Sequence, residues 1–270
     1  MSPQWARQQG FGVRVEWGRA GAAAIGDGAA CVVVIDVLSF TTSVSLATAA
    51  GTAVYPYRWR DESARAFADE HRAALAVGRR EAGPRAPWSL SPAAIRRAPF
   101  TERLVLPSPN GSAIATTVRE ARVVAASLRN VGAVAAWLAD QDDWGHPDRP
   151  IAVVAAGEQW PGTDIVRPAI EDWLGAGALV AALRDAGLTT LSPEAEAAAS
   201  TFRGTPAVGA LITDSASGRE LTAIGFADDV ALAVELDADR TVPLLTDGAF
   251  VDAARLPRNP PRVSHAPTPP

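Results

Sequence analysis

The sequence predicts an α/β fold: a three-layer sandwich with a largely parallel or mixed sheet between helices, built as one unit or as two lobes. Three observations lead there. Short apolar runs alternate with helix-period stretches along most of the chain. The run at residues 30–36 (Ala-Cys-Val-Val-Val-Ile-Asp) is apolar on both alternating faces, as in a parallel strand covered on two sides. The 270 residues, 48% hydrophobic and 20% charged, suit a globular chain that buries about three quarters of its unfolded surface.

The elements follow in order. After the strand at 30–36, residues 41–50 read as a helix that Gly51 stops. Residues 52–57 read as a strand and 61–71 as a helix. A strand at 104–106 leads into Ser108-Pro-Asn-Gly-Ser112 and a helix near 113–119. A strand at 123–126 leads into Ser127-Leu-Arg-Asn130 and a helix to about Gln141. A strand at 151–156 is followed by a long loop and a helix over 168–186. Further helices fit 193–202, 206–214 and 218–224. Strands alternating with helices imply helices on both faces of the sheet. The polar, turn-rich segment 141–150 marks either a lobe boundary or a surface loop. One α/β catalytic domain is expected over 1–256. Residues 257–270 are proline-rich without periodicity, the composition of an unstructured tail.

Composition excludes several chemistries. All 25 basic residues are Arg, so Schiff-base lysines and a lysine-bearing phosphate loop are ruled out. The one cysteine, Cys31, excludes an internal disulfide and a cysteine zinc cluster, and its place inside a strand makes it a core residue. The histidines 71, 146 and 265 have no metal-ligand spacing. A net charge of −5 argues against a nucleic-acid partner. The longest strongly apolar run is too short for a membrane span, and the N-terminal residues lack a signal-peptide core, so a cytoplasmic location is the default expectation.

In such sheets ligands bind at the carboxyl ends of the strands. Asp36 closes an almost wholly apolar strand, where a carboxylate must be solvated, paired or metal-bound. Glu158 holds the corresponding place after the strand at 151–156, and Glu171 and Asp172 open the next helix. Carboxylates without a Cys or His cluster suit a hard, oxygen-seeking cation such as Mg²⁺. Ser39, Thr41, Thr42, Asn110, Gly111, Ser112 and Asn130 stand where helices begin. There they either cap the helix or help its free N–H groups bind an anion. The segment 78–100 carries five arginines, among them Arg79 and Arg80, and guanidinium forks recognise phosphate and carboxylate. Two phosphatase signatures are absent: a Cys-x5-Arg loop would need Arg where Val37 stands, and an Asp-x-Asp motif would need Asp where Leu38 stands.

Taken together, the segments resemble the 2-phosphosulfolactate phosphatase (ComB) family from about Cys31 to Leu245. The resemblance rests on Val34-Ile-Asp-Val-Leu38 with Thr41-Thr42, Leu90-Ser-Pro92, Leu104-Val-Leu106 leading to Asn110-Gly-Ser112, and Ser127-Leu-Arg-Asn130. Ala155-Ala-Gly-Glu158 with Glu171-Asp-Trp-Leu-Gly-Ala-Gly177 carries most of it, and Asp228-Asp229, Leu236-Asp237 and Val242-Pro243 also fit. The resemblance implies a three-layer α/β fold and Mg²⁺-dependent hydrolysis of a phosphate ester; in that family the substrate is 2-phosphosulfolactate, an intermediate toward coenzyme M. Two positions depart. The family commonly reads Asp-Val-Leu-Arg-Ala-Thr where this chain has Ser39 and Phe40, and Gly-Glu-Arg where it has Gly78-Arg79-Arg80.

The expected site therefore has Asp36 and Glu158 as catalytic acids. Asp36, Glu158, Glu171 and Asp172 are the metal-ligand set. Ser39, Thr41, Thr42, Arg79, Arg80, Asn110, Gly111, Ser112 and Asn130 bind the phosphate. Asp36 is either a metal ligand or the nucleophile. The expected partner is a small anionic phosphoester, with a homodimer as an option. A metal-dependent lyase or isomerase, or a non-catalytic anion-binding protein, would use the same residues.

Overall fold

The computed structural model describes residues 4–59 and 61–256, so the proline-rich tail lies outside the described residues. The strands draw mainly on apolar and β-branched residues. They are β1 (Val13–Trp17), β2 (Cys31–Ile35), β3 (Ala53–Tyr57), β4 (Ala74–Leu75), β5 (Arg103–Pro107), β6 (Arg122–Ala126) and β7 (Ile151–Ala155). A short ribbon, β8 (Glu158–Gln159) and β9 (Val166–Arg167), follows, and a hairpin, β10 (Pro243–Thr246) and β11 (Ala249–Asp252), comes last.

The nine-stranded sheet has the order β1-β7-β2-β6-β10-β11-β3-β5-β4. It contains two parallel blocks. In the first, β7 pairs with β1 and β2, and β2 pairs with β6. In the second, β5 pairs with β3 and β4. The hairpin lies between the blocks and pairs antiparallel with β6 on one side and β3 on the other. The sheet is thus mixed. The segment 141–150, the candidate lobe boundary, connects helix to strand within the first block of this one sheet.

The helices are α1 (Gly18–Ile25), α2 (Phe40–Ala49), α3 (Glu62–Glu70), α4 (Pro92–Arg97), α5 (Gly111–Ala115), α6 (Val131–Ala139), α7 (Ile170–Asp185), α8 (Pro193–Arg203), α9 (Val208–Thr213), α10 (Ala216–Ala223) and α11 (Ala227–Ala233). The period-2 alternation of β2 sorts the core into two halves. Cys31, Val33 and Ile35 face one half with Leu174 and Leu179 of α7 and Val134 and Leu138 of α6. Val32 and Val34 face the other with Ile25 of α1, Phe40 and Val44 of α2, and Phe250 of β11. All five side chains of β2 are buried, and burying a Val or Ile contributes about 1.5–3 kcal/mol, so this strand is a main anchor of both halves.

Several elements differ in extent or number from expectation. The helix expected near 113–119 runs over Gly111–Ala115, with the Gly111 N–H bonded to Asp36 at its start. The strands β1 and β4, the β8–β9 ribbon, the β10–β11 hairpin and the helices α1, α4 and α11 add to the elements expected from the sequence. No helix among the described residues is long and apolar enough to cross a membrane.

Candidate active site

The sequence places Asp36 one residue beyond β2, and the fold brings two helix starts to it. Its Oδ1 accepts from the Phe40 N–H at 3.1 Å and its Oδ2 from the Gly111 N–H at 2.8 Å. The first turn of α2 and the first turn of α5 therefore both close on one carboxylate, which is favoured there by their unpaired N–H groups. A side chain at Gly111 would run into the Phe40 ring and stand 2.7 Å from Asp36 Oδ2, so only glycine lets that N–H approach. Asp36 is 6% exposed. Burial raises its pKa; the two N–H bonds and the charge of Arg79 work against that rise, and Glu171 adds to it.

Glu158 opens β8 and lies opposite Arg167 across the ribbon. Its Oε2 accepts from Asn110 Nδ2 at 3.0 Å. Burial, then the charges of Asp36 and Glu171, push Glu158 up to about 7, against the Asn110 bond and Arg167. Arg167 donates to Ser217 Oγ at 3.3 Å and lies 5.9 Å from the Trp160 ring centre. The exposed loop 159–164, which joins β8 to β9, lines an open concavity.

The first turn of α7 supplies two more acids. Asp172 accepts from the Val37 N–H at 2.7 Å and the Gly157 N–H at 2.8 Å, so it ties the segments that leave β2 and β7. Burial and the neighbouring acids Asp36 and Glu171 hold its pKa well above the carboxylate range. Glu171 is 2% exposed and its one side-chain hydrogen bond among the described residues is a long one, 3.5 Å, from Ser215 Oγ.

On the opposite side stands Arg79. It donates to Ser39 Oγ and, through Nε, to Asp229 Oδ2 at 3.2 Å. Asp229, fully buried at the start of α11, also accepts from Ser91 Oγ at 2.5 Å and the Ala93 N–H at 3.1 Å.

Several expected phosphate binders are engaged with the backbone. Thr41 Oγ1 bonds both the N–H and the C=O of Asp36. Thr42 Oγ1 donates to the Val37 carbonyl and Ser112 Oγ to the Leu106 carbonyl. Asn130 closes a capping box with Ser127 and donates to the carbonyls of Ala125 and Thr241, fully buried. Arg80 is exposed on the turn that holds Arg79. The structure thus gathers Asp36, Asn110, Gly111, Glu158, Glu171 and Asp172 at one group of strand ends, with Ser39 and Arg79 on its flank. It adds Arg167, Ser217, Ser91 and Asp229. Of these, only Ser91 and Asp229 carried a sequence signal, in Leu90-Ser-Pro92 and Asp228-Asp229.

The donor set suits a hard cation, since it holds oxygen alone. Asp36, Glu158 and Asp172 are all raised, chiefly by burial and secondarily by the neighbouring carboxylates. Among the described residues no three acidic, His or Cys groups converge into a ready-made cage. Mg²⁺ commonly needs only one or two carboxylates, with water and phosphate oxygens completing its shell.

Fold and site together define an α/β protein with an acidic strand-end centre flanked by guanidinium groups. Comparison with known proteins narrows that class. A family model described as 2-phosphosulpholactate phosphatase matches residues 22–248. A probable 2-phosphosulfolactate phosphatase from Thermotoga maritima is 29% identical over 224 residues, covering 81% of this chain and 90% of the relative. One from Thermotoga petrophila is 30% identical over the same length and shares. The chain belongs to the 2-phosphosulfolactate phosphatase family, and is a phosphatase acting on a phosphate monoester.

Proposed function

We propose that the chain hydrolyses the phosphate ester of a small acid, 2-phosphosulfolactate or a close chemical relative, with Mg²⁺ as its cation. The observation that carries this reading is Glu158, a carboxyl pushed up to about 7, held by Asn110 and set beside Asp36. The names of the two Thermotoga relatives support the substrate class. Asp36 and Glu171 would hold the cation, with Glu158 at its edge, and both oxygens of Asp36, like both of Asp172, are oriented by backbone N–H groups. When bound, Mg²⁺ supplies positive charge against the phosphoryl oxygens and lowers the pKa of water. Glu158, poised near neutrality, takes a proton from the attacking water, and Asn110 fixes the orientation of its carboxylate. Arg79 and Arg167 supply fixed positive charge for the anionic ends of the substrate.

A screen for inorganic phosphate release over a panel of small phosphate esters tests this. Esters with a second anionic group should be preferred. Activity should vanish with chelator and return with Mg²⁺. Full turnover in chelator would overturn the metal assignment, and equal rates on neutral esters the substrate class.

A further inference from the structure

Asp229 is the most buried carboxylate among the described residues, at 0% exposure, yet it does not belong to the acidic centre. A buried acid is stable only when paired and hydrogen-bonded, and each of its bonds here goes to a different purpose. Ser91 Oγ and the Ala93 N–H hold Oδ1 at the start of α4. Oδ2 is left for Arg79 Nε alone. That bond, with the second one from Arg79 to Ser39 Oγ, fixes the plane of the guanidinium beside Asp36. The Phe226 ring, 5.9 Å from the guanidinium carbon, covers another side. The side chain of Arg79 is only 18% exposed, and its remaining terminal nitrogen, Nη1, makes no hydrogen bond among the described residues.

We propose that Asp229 is a positioning residue for the anionic substrate: it grips Arg79 through Nε so that Nη1 is presented, already oriented, to a phosphoryl or second acidic oxygen. This rests on the phosphate-ester reading above but concerns binding alone. A guanidinium held by a buried partner loses little freedom when it meets an anion, whereas a free one must be ordered first. The neighbouring pair Arg97–Asp228 joins α4 to α11 at 3.3 Å, but both side chains are largely exposed, so it makes a control.

The test is titration calorimetry of the full chain with inorganic phosphate, alongside KM and kcat on whichever ester is turned over. Asp229→Asn should weaken phosphate binding about tenfold or more and raise KM alike, with kcat changed by less than about threefold. Arg79→Lys, which keeps the charge but has no Nε–H to offer, should lose as much. Asp228→Asn should change nothing. Adding Asp229→Asn to Arg79→Ala should cost no further affinity, because the grip has nothing left to hold. Near-normal phosphate affinity in Arg79→Lys would overturn the proposal without requiring Asp229→Asn to fold. So would multiplying losses in the double variant, or no phosphate binding by the wild-type chain. Failure of every ester to release phosphate, with the calorimetric pattern intact, would instead count against the hydrolase reading and support the positioning role.

Discussion

At the scale of single residues, Asp36 shows how two helix starts compensate a carboxylate at the end of a buried strand. Its place at the end of an apolar strand made it legible in the sequence, because an uncompensated carboxylate is not tolerated there. The N–H groups of Phe40 and Gly111 supply the compensation, the second from a residue 75 positions further along the chain than Asp36. Asp36→Asn keeps the shape but removes the charge and one acceptor. It should lower kcat by about a hundredfold or more while the chain stays folded. Steady-state kinetics with a thermal melt check this; near-normal kcat in a folded variant would leave Asp36 as a cap for α2 and nothing more. Threonine and serine were harder to read. Thr41, Thr42 and Ser112 sit where an anion-binding residue would sit, but the same short hydroxyls satisfy the adjacent backbone, and only the fold tells which occurs. Arg79 was visible as a charge in a loop, whereas its grip by Asp229 spans 150 residues and no local pattern encodes it.

At the scale of elements, the buried strands β2, β6 and β7 were legible as apolar runs with cap residues behind them, and their predicted bounds lie within about one residue of those observed. β1 was missed because Arg14 and Glu16 break its apolar character, although Val13 and Val15 alternate as a strand requires. The β10–β11 hairpin was missed because its strands are short. The available signal was Asp247-Gly248, both at positive φ, the turn residues that a tight hairpin needs. This hairpin is held by Phe250, fully buried and edge-on to Phe40 with ring centres 6.1 Å apart. Phe250→Ala should cost about 3–5 kcal/mol. Denaturant unfolding should show that loss, and a change below about 1 kcal/mol would mean that the hairpin is not part of the cooperative core. Because Phe40 also donates its N–H to Asp36, activity should fall in the same variant.

At the scale of the whole molecule, the acidic centre sets how stability responds to pH. Asp36, Glu158 and Asp172 all have pKa values raised above those of an unfolded chain, chiefly by burial. Above pH 4 the unfolded chain releases protons that the folded chain retains, so stability falls as pH rises through this window, toward about 7 for Glu158. The metal-free protein should therefore melt at a lower temperature at pH 7.5 than at pH 5.5. In a chain of about this size each kcal/mol moves Tm by about 2–4 °C, so the gap should be at least that large. Glu158→Gln should narrow it, and Mg²⁺ should raise the value at pH 7.5 more than that at pH 5.5. A flat melting profile across these conditions would show that the fold already neutralises the cluster.

The position of the hairpin also bears on how the chain is made. Residues 243–252 leave the ribosome after every other strand of the sheet, yet they fill its middle. Until then β6 and β3 each present a bare edge, and no strand pairing links the two parallel blocks. The nascent chain thus matures like an arch awaiting its keystone. Both piers rise during synthesis, and the span closes only when the last ribbon slides between them, which makes that interval the one in which pairing with another chain competes with self-completion.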